Sequence, residues 1–236
     1  VEPGATADPT KDTRIRSGYY GVAVNPVDGS IWGSSLGFPG AILRLDPGTE
    51  PATTALVEIY ETPWGNPEAP IQGYSPRGMD IDRNGVVWTP LASGHMASFD
   101  RSKGMGPLNG PTAPGAHCPE GWTLYPEPAP QIKNLDESGS AESSYYTWVD
   151  QFNTLGLGDN VPINTGNGSE GLLALKDGEW VVLRVPYPLG FYTKWMDGRI
   201  DDPDAGWKGR GIFATISTRA PFHMETGEGT PSKVVH

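Results

Sequence analysis

Gly21-Val-Ala-Val-Asn-Pro-Val-Asp-Gly-Ser-Ile-Trp32 recurs along the chain as Gly78-Met-Asp-Ile-Asp-Arg-Asn-Gly-Val-Val-Trp88. Each copy opens on a short run of period-two alternation, the spacing that puts side chains on one face of a strand. Each then turns on Asp28-Gly29 or Asn84-Gly85, pairs that supply the positive φ values of a tight hairpin. A second strand carrying Trp closes each copy. A third follows, Ala41-Ile-Leu-Arg-Leu-Asp46 in one case and Met96-Ala-Ser-Phe-Asp100 in the other. A fourth follows these, Val57-Glu-Ile-Tyr-Glu-Thr-Pro63 and Trp122-Thr-Leu-Tyr-Pro-Glu-Pro128. Four antiparallel strands repeated along a chain spell a β-propeller blade. A blade cannot bury both faces alone, so neighbouring blades must stack on it. The expected fold is all-β, a propeller of four-stranded antiparallel blades, as a partial ring of about three to four blades.

Outward from this repeat, residues 1–17 are polar and aperiodic and read as a linker or lead-in. The blades are expected at 18–63, 76–128 and 145–188, with an incomplete fourth at 211–236. The third rests on Tyr145-Tyr-Thr-Trp-Val-Asp150 and on a hairpin, Gly171-Leu-Leu-Ala-Leu175 with Glu179-Trp-Val-Val-Leu-Arg-Val185. A long turn through Gly156, Gly158 and Gly166 is expected between them, and a loop over 190–210. The Gly- and Pro-rich stretch 103–119 reads as a surface loop inserted in blade two. The final run, Lys233-Val-Val-His236, reads as a strand beginning. A closed ring of six or seven blades at about 40–50 residues each needs more chain than this, so a piece of a longer protein is expected.

The 32 Gly and 24 Pro fall between apolar alternating runs, which makes them turn punctuation. Eight Trp and nine Tyr speak for a folded chain. A net charge of −11 disfavours nucleic acid as a partner. No apolar stretch is long enough for a helical membrane span. Cys118 is the single cysteine, so no disulfide forms within the chain.

Blades one and two resemble the streptogramin (virginiamycin B) lyase-like propellers, whose repeat is related to the NHL and gluconolactonase-like ones. The resemblance is carried by Gly21-Val-Ala, Asp28-Gly-Ser-Ile-Trp32, Ala41-Ile-Leu-Arg-Leu-Asp-Pro47 and Glu58-Ile-Tyr-Glu-Thr-Pro63. Blade two departs at Trp88-Thr-Pro90 and at Met96-Ala-Ser-Phe-Asp100. The resemblance covers residues 18–128. It implies an enzyme that cleaves a C–O bond with a His base and a bound divalent cation, Mg²⁺ or Ca²⁺. It also implies an exported protein, periplasmic or extracellular. The alternative reading is a non-catalytic exported propeller that binds a carbohydrate, a peptide or a protein.

Candidate site residues come from the residue types themselves. His223 and Glu225 in Arg219-Ala-Pro-Phe-His-Met-Glu225 are two apart, so on a strand they share a face, as a base and its orienting carboxylate would. His95 opens a strand, where a neutral imidazole is a candidate general base. Asp197, Asp201, Asp202 and Asp204 bring four carboxylates to one loop, the donor set a hard cation prefers; Arg199, Lys208 and Arg210 could neutralise them instead. Asp80-Ile-Asp82-Arg-Asn84-Gly85 matches the opening of a calcium loop, although Asn84-Gly85 alone explains a turn. His117-Cys118 is a weak metal or thiol candidate. The aromatics Tyr145, Tyr146, Trp148, Tyr187, Phe191, Tyr192 and Trp195 serve as blade core, with a few left to stack on a flat ligand or sugar.

Overall fold

The computed structural model of the chain describes residues 17–67, 69–109, 112, 117–131, 139–185, 191–199 and 211–215. Blade one contains β1 (Tyr19–Val24), β2 (Ile31–Ser35), β3 (Ala41–Asp46) and β4 (Leu56–Glu61). Blade two contains β5 (Asp80–Ile81), β6 (Val87–Leu91), β7 (His95–Phe99) and β8 (Trp122–Pro126). Blade three contains β9 (Thr147–Asp150), β10 (Val161–Gly166), β11 (Gly171–Lys176) and β12 (Glu179–Arg184). Two further strands, β13 (Met196–Arg199) and β14 (Gly211–Ala214), pair with each other. Every blade is an antiparallel meander in chain order, the architecture of a β-propeller.

The repeat read from the sequence is the structural repeat. Ala23 pairs with Trp32 as Asp80 pairs with Trp88, and Val24 with Ile31 as Ile81 with Val87. The residue at or just after the end of β1, β5 and β9 caps the turn beyond it. Asn25 Oδ1 accepts from Val27 N at 2.9 Å, and Asp82 Oδ1 from Asn84 N at 2.8 Å. Asp150 does the same for Thr154 N at 2.7 Å. Asp82 thus spends Oδ1 on its own turn and Oδ2 on Trp88 Nε1 at 3.2 Å, the pattern of a hairpin cap.

Blades stack through apolar faces. Trp32, Ile42 and Tyr60 of blade one meet Met79, Ile81, Val87 and Phe99 of blade two. Val161, Ile163 and Ala174 of blade three meet Met196, with Trp148 and Ile212 packed alongside. The inner strands β1, β5, β9 and β13 lie side by side in that order. Gly78 and Tyr146 form a parallel bridge, so β5 and β9 run the same way. Inner strands therefore share an upper end, where they begin, and a lower end, where they finish. Each meander also brings its second turn and its outgoing loop to the upper end.

Close approach of the inner strands explains the repeated glycine. A Cβ on Gly21 would lie 2.7 Å from Gly78 Cα, and one on Gly78 only 2.2 Å from the Tyr146 ring. Gly78→Ala is accordingly expected to lower stability by about 1–3 kcal/mol through overpacking, measured by urea unfolding.

Two strands occupy stretches that the sequence pattern assigns to a turn and a loop. All six residues of β10 are buried, so it shows no in–out alternation. Asn164 accepts from Thr147 Oγ1 of β9 and donates to Glu127, and Thr165 Oγ1 accepts from Tyr145 N. Pro162 lies ahead of the first β10–β11 pair, Ile163 with Ala174, where its missing N–H is tolerated. β13 is four residues long and contains Gly198, on which Trp148 packs so closely that a Cβ would lie 2.0 Å from its ring. The fourth blade therefore begins at β13, before 211.

Candidate functional site at the upper end of the blades

The upper end gathers aromatic and cationic side chains from successive blades. Tyr20 is the second residue of β1, Arg77 precedes β5, Tyr145 precedes β9 and Lys194 precedes β13. The Arg77 guanidinium lies 4.4 Å from the centroid of the Tyr145 ring and the Lys194 ammonium 4.8 Å from the same ring. Such cation–π contacts hold charge against an aromatic face without neutralising it. Arg77 Nη1 donates to Ser144 O at 2.7 Å. Among the described residues neither cation forms an ion pair with a carboxylate. Tyr20 lies 5.7 Å from Tyr146 and 6.4 Å from Tyr145, and Tyr192 5.8 Å from Tyr145, centroid to centroid.

A second aromatic group sits on the same end of blade one. Phe38, Trp64 and Tyr74 meet edge to face at 5.2–5.3 Å. Phe38 is 66% exposed and Trp64 44%. Their loops are braced by Ser75 N donating to Pro39 O at 2.6 Å and Thr62 Oγ1 donating to Pro39 O at 2.9 Å.

A buried polar layer supports this end. Glu127 Oε1 accepts from Ser144 Oγ at 2.6 Å and from Asn164 Nδ2 at 2.7 Å. Its Oε2 has no partner among the described residues. Burial pushes the Glu127 carboxyl up to about 7, against the hydrogen bonds of Ser144 and Asn164. Glu142 caps the Gly168 and Ser169 amides of the β10–β11 turn.

His95 is the first residue of β7 and is fully buried. Its Nδ1 bonds Ser93 Oγ at 2.9 Å, and its Nε2 has no partner among the described residues. Burial lowers its pKa to about 4, so the imidazole is neutral. It shares its face of β7 with Ala97 and Phe99, turned toward blade one and away from the Arg77–Tyr145 cluster.

Asp197 lies in β13, toward the lower end. With Asp80, Trp148, Asp150 and Phe152 it lines a cavity of about 260 Å³. Burial raises the Asp80 carboxyl to about 6, with Asp197 and Asp82 adding to the effect. Asp80 already accepts from Ile81 N and Val149 N, and both Asp150 oxygens accept backbone amides. Among the described residues no group of three His, Cys, Asp or Glu side chains is placed to hold a metal ion. His223, Glu225, Asp201, Asp202 and Asp204 lie outside the described residues. His95 and Asp197 sit at opposite ends of the blades and are not brought together.

His117 Nδ1 lies 2.7 Å from Glu61 Oε2. The neighbouring Cys118 thiol is buried and pushed up to about 11, chiefly by burial, which leaves it protonated and unreactive. Sequence reasoning named Tyr145 and Tyr192 but not Arg77, Lys194, Phe38, Trp64 or Tyr74. The available signal was position: Tyr20, Arg77 and Tyr145 each stand one residue before the repeat position held by Gly21, Gly78 and Tyr146.

No helix among the described residues is long and apolar enough to cross a membrane. No protein-family model and no curated protein sequence matches the chain. Among solved structures the chain is similar to a streptogramin B lyase, with 16% identity and a TM-score of 0.43, over 78% of this chain and 44% of that one. It is similar to PorZ, a bacterial surface component of the type-IX secretion system of Porphyromonas gingivalis, with 15% identity and a TM-score of 0.46, over 75% of this chain and 23% of that one. It is also similar to virginiamycin B lyase from Staphylococcus aureus crystallised with quinupristin, with 16% identity and a TM-score of 0.33, over 75% and 59% of the two chains. The chain spans less than two thirds of each of these proteins.

Proposed function

We propose that the protein is an exported, non-catalytic β-propeller that binds an anionic small molecule or acidic carbohydrate at the upper end of its blades. The observation that carries this reading is the Tyr145 ring, which lies within 5 Å of both the Arg77 guanidinium and the Lys194 ammonium, with no carboxylate among the described residues in an ion pair with either. In a chain of net charge −11, two cations on one aromatic ring, neither in an ion pair among the described residues, favour an anion locally. The surrounding tyrosines supply flat faces for a ring to stack on.

The test is a thermal-shift and calorimetric screen against oligosaccharides of uronic acids, their neutral counterparts and small aromatic carboxylates. The acidic ligands are expected to bind, and Tyr145→Ala and Arg77→Ala each to weaken binding about tenfold or more, as loss of a charged hydrogen-bond or stacking partner does. His95→Ala is expected to leave binding within about threefold of wild type. Equal binding of neutral and acidic sugars would remove the anion reading. The lyase reading uses His95, His223 and Glu225 with a divalent cation. Cation-dependent cleavage of a C–O bond, abolished by alanine at both histidines, would put it in place of the binding reading.

A further inference from the structure

Ser144 stands between a buried carboxylate and the cations of the upper end. It is 1% exposed, and its two polar groups serve different partners. The hydroxyl donates to Glu127 Oε1 at 2.6 Å, and the carbonyl accepts from Arg77 Nη1 at 2.7 Å. The next residue is Tyr145, whose ring centroid lies 4.4 Å from the Arg77 guanidinium and 4.8 Å from the Lys194 ammonium. Tyr145 is itself fixed: its N–H donates to Thr165 Oγ1 and its carbonyl accepts from Gly78 N, both at 2.9 Å. Hydrogen bonds on either side of Ser144 thus hold the carboxylate and the cations in one arrangement.

Glu127 follows β8 and is 3% exposed. Asn164 of β10, itself buried, donates to the same Oε1, while Oε2 has no partner among the described residues. A buried carboxylate with one oxygen left bare holds its charge at a cost, so the site favours a proton on Glu127. Two charged groups shift that balance after burial and the Ser144 and Asn164 bonds have acted. Glu142, on the loop leading to β9, favours the proton, and Arg77, on the approach to β5, favours the charge. β10 contributes the uncharged Asn164. His95 of β7 lies across the β7–β8 pair from Pro126, and its titration near 4 falls well below that of Glu127.

We infer that Glu127, joined to Arg77 through Ser144, makes anion binding at the upper end proton-linked: the protonated carboxyl admits an anion at Arg77 and Lys194, and the ionised carboxylate weakens its hold. The inference rests on the anion-binding reading above and adds its regulation. An anion at Arg77 repels a negative charge behind Ser144, so it favours protonated Glu127. Linkage is reciprocal, so protonated Glu127 binds the anion more tightly by the same factor. Ionised Glu127 also attracts Arg77 in competition with the ligand. The Glu127 carboxyl is raised to about 7, so affinity is full below that pH and begins to fall as the pH rises through it.

The test is calorimetric titration of the full chain with trigalacturonate, whose own carboxylates stay ionised from about pH 5.5 to about pH 8.5. Wild-type affinity is expected to fall about fivefold or more across this range. Glu127→Gln keeps the acceptor used by Ser144 and Asn164 and removes the titration. Its affinity is expected to stay within about twofold of the wild-type value at the acidic end throughout. Ser144→Ala removes one bond to the ionised carboxylate and keeps the carbonyl used by Arg77, so its fall is expected at higher pH than in wild type. Asp80 titrates toward about 6 in all of these proteins and so drops out of the comparison. Proton uptake on binding, read from the dependence of the heat on the buffer, is expected in wild type and not in Glu127→Gln. Parallel pH profiles in wild type and Glu127→Gln would overturn the proton link and leave the anion reading standing. No binding by any of these proteins at any pH would overturn both.

Discussion

Glu58→Ala is expected to lower the unfolding free energy by about 3–5 kcal/mol, the range for removing one member of a buried charge network. Glu58 is 1% exposed, at the interface between blades one and two. Arg44 Nη1 reaches it at 3.2 Å, Arg101 Nη2 at 2.6 Å and Arg101 Nε at 2.8 Å. The Tyr60 hydroxyl and the Asn109 amide also donate to it. Burial works to raise its pKa, and the bonds from Arg101 and Tyr60 overcome this and hold the carboxyl below its usual range. Alanine leaves Arg44 nearly buried, with Asp28 at 2.9 Å and Asp46 at 3.1 Å as its remaining partners. Arg101 is one-third exposed and can rehydrate, which places the loss toward the lower end of the range. Arg101 follows β7 of blade two, so the substitution also cuts a tie between blades. Urea unfolding with an unchanged m-value checks the result. A loss below about 1 kcal/mol would equate the network with a surface ion pair.

The second large effect is a pH dependence centred on Glu127. Its carboxyl is raised from 4.5 to about 7 by burial, so the folded protein holds this proton more tightly than the unfolded chain does. The contribution is complete below pH 4.5, falls as pH rises toward 7, and is lost above it. The difference corresponds to roughly 3 kcal/mol. Glu127→Gln keeps the acceptor used by Ser144 and Asn164 and removes the titration. The variant is therefore expected to gain on wild type by about that amount as pH rises from 4.5 to 8, measured by urea unfolding at a series of pH values. Asp80 titrates with the same sign toward about 6 but is present in both proteins, so the difference isolates Glu127. Parallel stability curves for the two proteins would show that Glu127 ionises as freely in the folded state as in the unfolded one.

The upper-end site shows where sequence patterns stop. Arg77, Tyr145 and Lys194 come from the approaches to three different inner strands and meet only because those strands stand side by side. No local spacing encodes such a meeting. His95 is the converse case. Its place at the start of a strand was legible, but alternation alone does not say which face lies under a neighbouring blade. The pairing of His95 with Pro126 and the packing of Phe99 on blade one decide that.

By itself the sequence determined the blade repeat and its hairpins. Gly21 and Gly78, the paired tryptophans and the Asp-Gly and Asn-Gly turns act within a dozen residues, where backbone preference and alternation leave a direct trace. The tertiary structure alone decided β10 and β13, because a strand buried on both faces or broken by glycine has no alternation to read. It alone decided the buried states of Glu58, Glu127 and His95, since desolvation depends on what a neighbouring blade lays over a side chain.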